Sequence, residues 1–226
     1  MAIQQKYQSG SFQLTSELLL EGAFCAIEQA WHLLENSVLL FQGERYATSV
    51  VLATYCLEEL SRSKICFDFR TRILEGTPVT SADFSARRED HERKLADGGI
   101  SPLVHKCEWV TEPIDPRQDE RSVENVIAGV RKRRNRLPKD ALEARKKALY
   151  VDLVGDSESW NRPCLVGFDE AEPWLVIAQE AYILKRSQLV HSTDPEIQAA
   201  AATLSSTRGL PEPHWNLINF TSGPGG

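Results

Sequence analysis

The chain has 226 residues, of which 42% are hydrophobic and 26% charged, with a formal net charge of -6. That length suits one domain with appendages, and the composition is that of an ordinary soluble globular protein. The acidic balance excludes a general attraction to nucleic acid, so any such contact needs a local patch. Five scattered cysteines (Cys25, Cys56, Cys66, Cys107, Cys164) form no C-x-x-C pair. They read as reduced thiols, not as a disulfide framework or zinc ribbon. The start MAIQQKYQSG has no signal pattern, and Glu21, Glu28 and Glu35 interrupt the best apolar run. No membrane partner and a cytoplasmic location are therefore expected.

Residues 1–14 read as a loose arm. The first helix is predicted to start at Thr15 or Ser16. Leu20, Ala23, Ile27, Ala30, Leu34, Val38 and Phe41 recur at the spacing of one helical face, widened by Phe24 and Trp31. Gly43 is the expected left-handed terminator. A second helix follows almost at once, which implies an antiparallel hairpin.

This second stretch, ERYATSVVLATYCLEELSRSKICFD, carries the most informative conflict in the chain. Its apolar face runs through Ala47, Val50, Val51, Thr54, Leu57 and Ile65. Glu58 falls on the line Val51, Thr54, Ser61, Ile65, and Lys64 on the neighbouring line Val50, Leu57, Ser61. Glu59 stands about 100° from Glu58, so the two carboxylates do not both point inward. A carboxylate on an apolar line is costly unless paired. Arg62 and Lys64 on the same helix, or His91 and Lys94 on the next, are the expected partners.

Gly76 and Pro78 end the second helix, and Thr80-Ser81-Ala82-Asp83 starts a charged one over 82–97, in which Phe84, His91 and Leu95 share a face. Residues 98–117, rich in Gly and Pro, read as an irregular connection. A helix is predicted near 118–135, then a short one over KDALEARKKA. LYVDLV at 149–154 reads as an extended segment. Asp169 with Glu172 is expected to cap a last long helix, apolar at Trp174, Ile177, Ala178, Ala181 and Leu184. Asp194-Pro195 opens a small alanine-rich helix. The stretch from 205 to 226 reads as a flexible tail. Alternating strands are missing, so the class is all-α, with one helical domain over 15–204.

The order of these parts resembles the AbiV family of abortive-infection proteins, placed among the HEPN-like helical domains. The resemblance lies in LLENSVLLFQGERYATSVVLATYCLEELSRSK, the later DHERKL and the still later KKALYVDL, and it covers about residues 20–190. Ser61-Arg62-Ser63 stands where the family has a glycine before the lysine. The resemblance implies an antiparallel helical bundle with a role against phage. It also implies a homodimer and, as in related HEPN domains, metal-independent RNA cleavage through an R-x4–6-H motif. That motif occurs at Arg186-SQLV-His191, at the end of a predicted helix, and at Arg208-GLPEP-His214 in the tail, which is discounted.

Two readings follow. In the enzymatic one, Arg186 and His191, or a pocket of Glu58, Glu59, Lys64 and His91, transfer protons and stabilise charge on RNA. In the other, the same α-helical charges only lock the bundle, which binds a phage or host protein. A metal reading through Glu58, Glu59, Asp90 and His91 has no spacing that fixes a coordination geometry, so neither metal nor cofactor is expected.

The segment from Arg131 to Lys147 holds nine Lys or Arg against two acids, a net of +7, which leaves -13 on the remainder. Arg131, Lys132, Arg133, Arg134, Arg136, Arg145, Lys146 and Lys147 are thus candidates for phosphate contacts, with Tyr150 to stack on a base. The competing reading is a solvated helix end, where cations suit the free carbonyls. It covers Arg131 to Arg136 but not Arg145 to Lys147.

Overall fold

The computed structural model describes residues 12–88, 138–151 and 159–207. Among them the fold is all-α. Helices α1 (Ser16–Gln42) and α2 (Tyr46–Leu74) form the expected hairpin, followed by α3 (Ser81–Arg88). Helix α4 occupies 138–149. After a 3-10 turn at Pro163–Leu165 come α5 (Phe168–Val190) and α6 (Pro195–Thr207). The helix expected near 118–135 lies outside the described residues, as do 89–97 of the charged helix and 152–154 of the extended segment. Leu149 of that segment closes α4, while Tyr150 and Val151 are not helical.

Local chemistry sets the helix ends. The Thr15 side chain accepts from the Leu18 amide and so caps α1. At the other end the left-handed residue is Glu44 (φ 58), not Gly43 (φ -85), which corrects the sequence expectation by one position. The amides of Glu44 and Arg45 reach back to the carbonyls of Phe41 and Leu40, the double bond of a Schellman cap. Gly76 (φ 85) does the same for α2. Thr80 and Asp83 exchange hydrogen bonds at the start of α3, as the capping pattern predicted. Asp194 caps α6 through the amides of Glu196 and Ile197. Asp169 does not cap α5: Gly167 holds that position without a side-chain bond, and Asp169 lies in the first turn.

The predicted face of α1 is the buried one: Ala23, Ile27, Ala30, Leu34, Val38 and Phe41 pack on α2. Near the turn Ser37 meets Ser49, and toward the far end the rings of Phe24 and Phe67 meet edge to face. Helix α5 lies against the same pair and runs parallel to α2. The Phe168 ring meets those of Phe41 and Tyr46 at one end, and Asp194, just beyond α5, meets Arg70 at the other. A smaller core of Leu14, Leu19, Ile65, Phe69 and Val79 closes the base of the hairpin. It is tied by Leu14 N–H to Val79 C=O, so residues 12–14 run along 79–81.

Candidate functional site

Glu58 points inward, as its place on the apolar line required, and is 4% exposed. Its partner is not among the candidates chosen from sequence. Arg145 reaches in from α4 and donates to the carboxylate, while its guanidinium stacks on Tyr55, 4.9 Å from the ring centroid. Arg62 lies nearer the surface and holds Glu59 instead, at 2.8 Å, one turn away. Lys64 holds Asp68 at 2.7 Å. The three α2 residues Glu58, Glu59 and Lys64 are therefore all engaged in ion pairs, and they do not converge on one partner. His91 and Lys94 lie outside the described residues.

The basic segment divides in the same way. Arg145 is turned into the protein on Glu58, and Lys147 pairs with Glu170 of α5 at 2.6 Å. Lys146 and Tyr150 are exposed, and Tyr150 is fixed by Asn161, whose amide donates to the carbonyls of Lys147 and Tyr150. Arg131, Lys132, Arg133, Arg134 and Arg136 are outside the described residues.

The carboxyl end of α5 gathers the remaining candidates. Tyr182 is wholly buried, its ring 5.2 Å from that of Trp31, and burial pushes its hydroxyl well above the usual phenol range. Arg186, one turn on, is half-buried and lies within electrostatic reach of Tyr182. His191 ends the helix as its exposed C-cap. Between them Lys185 lies on the Phe67 ring, 4.7 Å from its centroid. No carboxylate among the described residues forms a salt bridge with it. Burial first, and neighbouring Lys64 second, lower its amine from the usual lysine range to about 8 against the opposing pull of Asp68.

Sequence reasoning missed Lys185, Tyr182 and a second inward charge, Arg70. The side chain of Arg70 is 5% exposed and clamps Asp194 at 2.7 Å and Glu196 at 2.6 Å, fixing the start of α6 beside the end of α2. The hydrogen bond from Arg70 holds the Asp194 carboxyl below the usual carboxylate range. Arg70 lies seven residues after buried Ser63, and the periodicity that exposed Glu58 would have found it. Tyr182 and Lys185 gave no such signal, because aromatic and lysine side chains are amphipathic and sit on either face.

The two buried thiols are held in their protonated form. Cys25, Cys56, Cys66 and Cys164 are free, and burial raises both Cys56 and Cys66, the latter to about 11. Among the described residues no three His, Cys, Asp or Glu side chains converge as a metal site would. No described helix is long and apolar enough to cross a membrane.

A family model described as AbiV, of HEPN type, matches residues 18–182. No curated protein and no solved structure matches the chain. The matched span begins in α1 and ends at Tyr182, so Arg186 and His191 lie just beyond it.

Proposed function

The chain belongs to the AbiV family of abortive-infection proteins, and we propose that it acts in that defence by cleaving RNA without a metal, through Arg186 and His191 of α5. The carrying observation is the end of α5: a solvent-exposed imidazole stands five residues beyond a half-buried guanidinium. Imidazole is the side chain whose ordinary titration falls near neutral pH, so it both takes and returns a proton. His191 removes the proton from a ribose 2′-hydroxyl, which attacks the adjacent phosphorus. Arg186 stabilises the charge that builds on the phosphoryl oxygens. The P–O5′ bond breaks, the leaving oxygen takes a proton, and the products are a 2′,3′-cyclic phosphate and a 5′-hydroxyl end.

Five residues at 100° each place the two side chains about 140° apart around one helix. A single α5 therefore presents them to different sides. Two copies with their α5 ends apposed bring the histidine of one to the arginine of the other, which is why the working form is a homodimer. Exposed Lys146 and Tyr150 contact the RNA backbone and bases.

In this reading Glu58, Glu59 and Lys64 are framework, because each already holds a cation or carboxylate of its own chain. That same observation favours a second reading, in which the whole bundle is a binding module for a phage or host protein. Purified protein incubated with total RNA in EDTA separates them. Cleavage is expected, and His191→Ala is expected to lower its rate by about 100-fold or more at an unchanged melting temperature. Intact RNA at high protein concentration, with phage protection retained in His191→Ala, leaves the binding module.

A further inference from the structure

Arg70 is a cation turned into the protein near the end of α2, its side chain 5% exposed. A guanidinium taken out of water is costly unless its donors are bonded. Here Nη1 donates to Asp194 at 2.7 Å and Nη2 to Glu196 at 2.6 Å. Two carboxylates from one short stretch thus grip the two prongs of one fork, and a fork held at both prongs fixes orientation as well as charge. The stretch they come from starts three residues after His191.

Hydrogen bonds carry the position of Asp194 back to His191. Asp194 Oδ2 accepts from Arg70 while its Oδ1 accepts from the amides of Glu196 and Ile197, so the carboxylate is held from two sides. The Asp194 amide donates to the Ser192 hydroxyl, and the Gln198 side-chain amide donates to the Ser192 carbonyl at 2.6 Å. The amides of His191 and Ser192 donate back into α5, to the carbonyls of Ser187 and Leu189. The turn from α5 to α6 is therefore braced within itself, and Arg70 pins it to α2. His191 needs such a brace, because it is exposed and ends its helix, where helices fray.

We propose that Arg70 is a positioning residue for His191: by clamping Asp194 and Glu196 it fixes the α5–α6 turn on α2 and holds the imidazole where it meets the ribose 2′-hydroxyl. This role presupposes RNA cleavage at the end of α5. Arg70 is buried and acts only through the turn. Displacing a reacting group by about 1 Å costs on the order of 100-fold in rate. The loss falls on kcat and not on KM, because the RNA contacts assigned to Lys146 and Tyr150 lie at the end of α4, away from the clamp. Stability changes little by comparison, since the side chains of Asp194 and Glu196 are 31% and 57% exposed.

The test measures RNA cleavage in EDTA by the full chain and by two conservative variants. Arg70→Lys keeps the charge and loses the fork. Asp194→Asn keeps a residue that caps α6 equally well and weakens the bond to Arg70. Each is expected to lower kcat by about 10-fold or more with KM within about twofold, and to speed amide hydrogen exchange over residues 191–197. Active wild type with kcat unchanged in both variants overturns the role of Arg70 and leaves RNA cleavage standing. So does a loss confined to KM, or one that merely tracks the fraction of protein melted. Wild type that leaves RNA intact overturns both the cleavage reading and the role of Arg70. Should Arg70→Lys fail to fold, Asp194→Asn decides by the same readings.

Discussion

Where α1 meets α2, Ser37 and Ser49 are wholly buried, and each hydroxyl donates to the other's backbone carbonyl, with the two hydroxyl oxygens 3.0 Å apart. Where α5 packs on that pair, Tyr182 is equally buried and its hydroxyl bonds to nothing. Both contacts bury large apolar surface, so hydrophobicity does not separate them. Polar satisfaction does. A seam with its hydrogen bonds complete has one favoured packing, whereas a bare donor counts against the packing that buries it. The first contact is built to stay closed. The second holds Lys185 over the Phe67 ring, and no carboxylate among the described residues forms a salt bridge with it.

The largest expected effect lies outside both seams and sets their scale. Glu58→Ala strands the Arg145 guanidinium inside the protein, so it is expected to cost about 3–5 kcal/mol. At about 2–4 °C per kcal/mol for a chain of this size, melting falls by roughly 10 °C. An unchanged melting temperature would show that α4 is not fastened to α2 by this pair.

The sharpest contrast comes from removing one hydroxyl at each seam. Ser37→Ala takes a donor from a completed pair and is expected to destabilise by about 1–2 kcal/mol. Tyr182→Phe removes a hydroxyl that bonds nothing, and stability is expected to hold or to rise by up to about 1 kcal/mol. Denaturant titration reads both, and equal losses at the two sites would erase the distinction.

A separate effect is a pH dependence at Lys185. Its folded-state amine is lowered to about 8 by burial, and by Lys64 against the opposing pull of Asp68. The unfolded chain thus holds more protons than the folded one between about 8 and the ordinary lysine value. The penalty is full below pH 8 and is relieved as pH rises above it. Melting of the wild type compared with Lys185→Met is expected to show the variant's advantage at pH 7 shrinking toward pH 10. An advantage independent of pH would remove the unmatched amine from the picture.

Much of the frame was legible in sequence because it depends on local chemistry. The Thr15 and Asp194 caps, the Thr80–Asp83 exchange and the inward set of Glu58 all follow from spacing within a few residues. What Glu58 pairs with did not follow, because Arg145 lies 87 residues away and is brought back only by the packing of α4. The same holds for Arg70 and Asp194, separated by 124 residues. Periodicity reveals that a charge faces inward; it is silent about which distant element meets it. The bare polar atoms of Ser63, Gln179 and Tyr182 were least legible of all. Serine, glutamine and tyrosine occur on both wet and dry faces, and an unbonded hydroxyl has no sequence signature.

The most direct measurement is of the RNA ends formed by the purified protein in EDTA. Wild type is expected to yield 2′,3′-cyclic phosphate and 5′-hydroxyl ends, and an equally stable His191→Ala variant is expected to yield neither above background. Cleavage by His191→Ala at the wild-type rate, or fragments carrying 5′-phosphate ends, would contradict a role for the end of α5 in the chemistry.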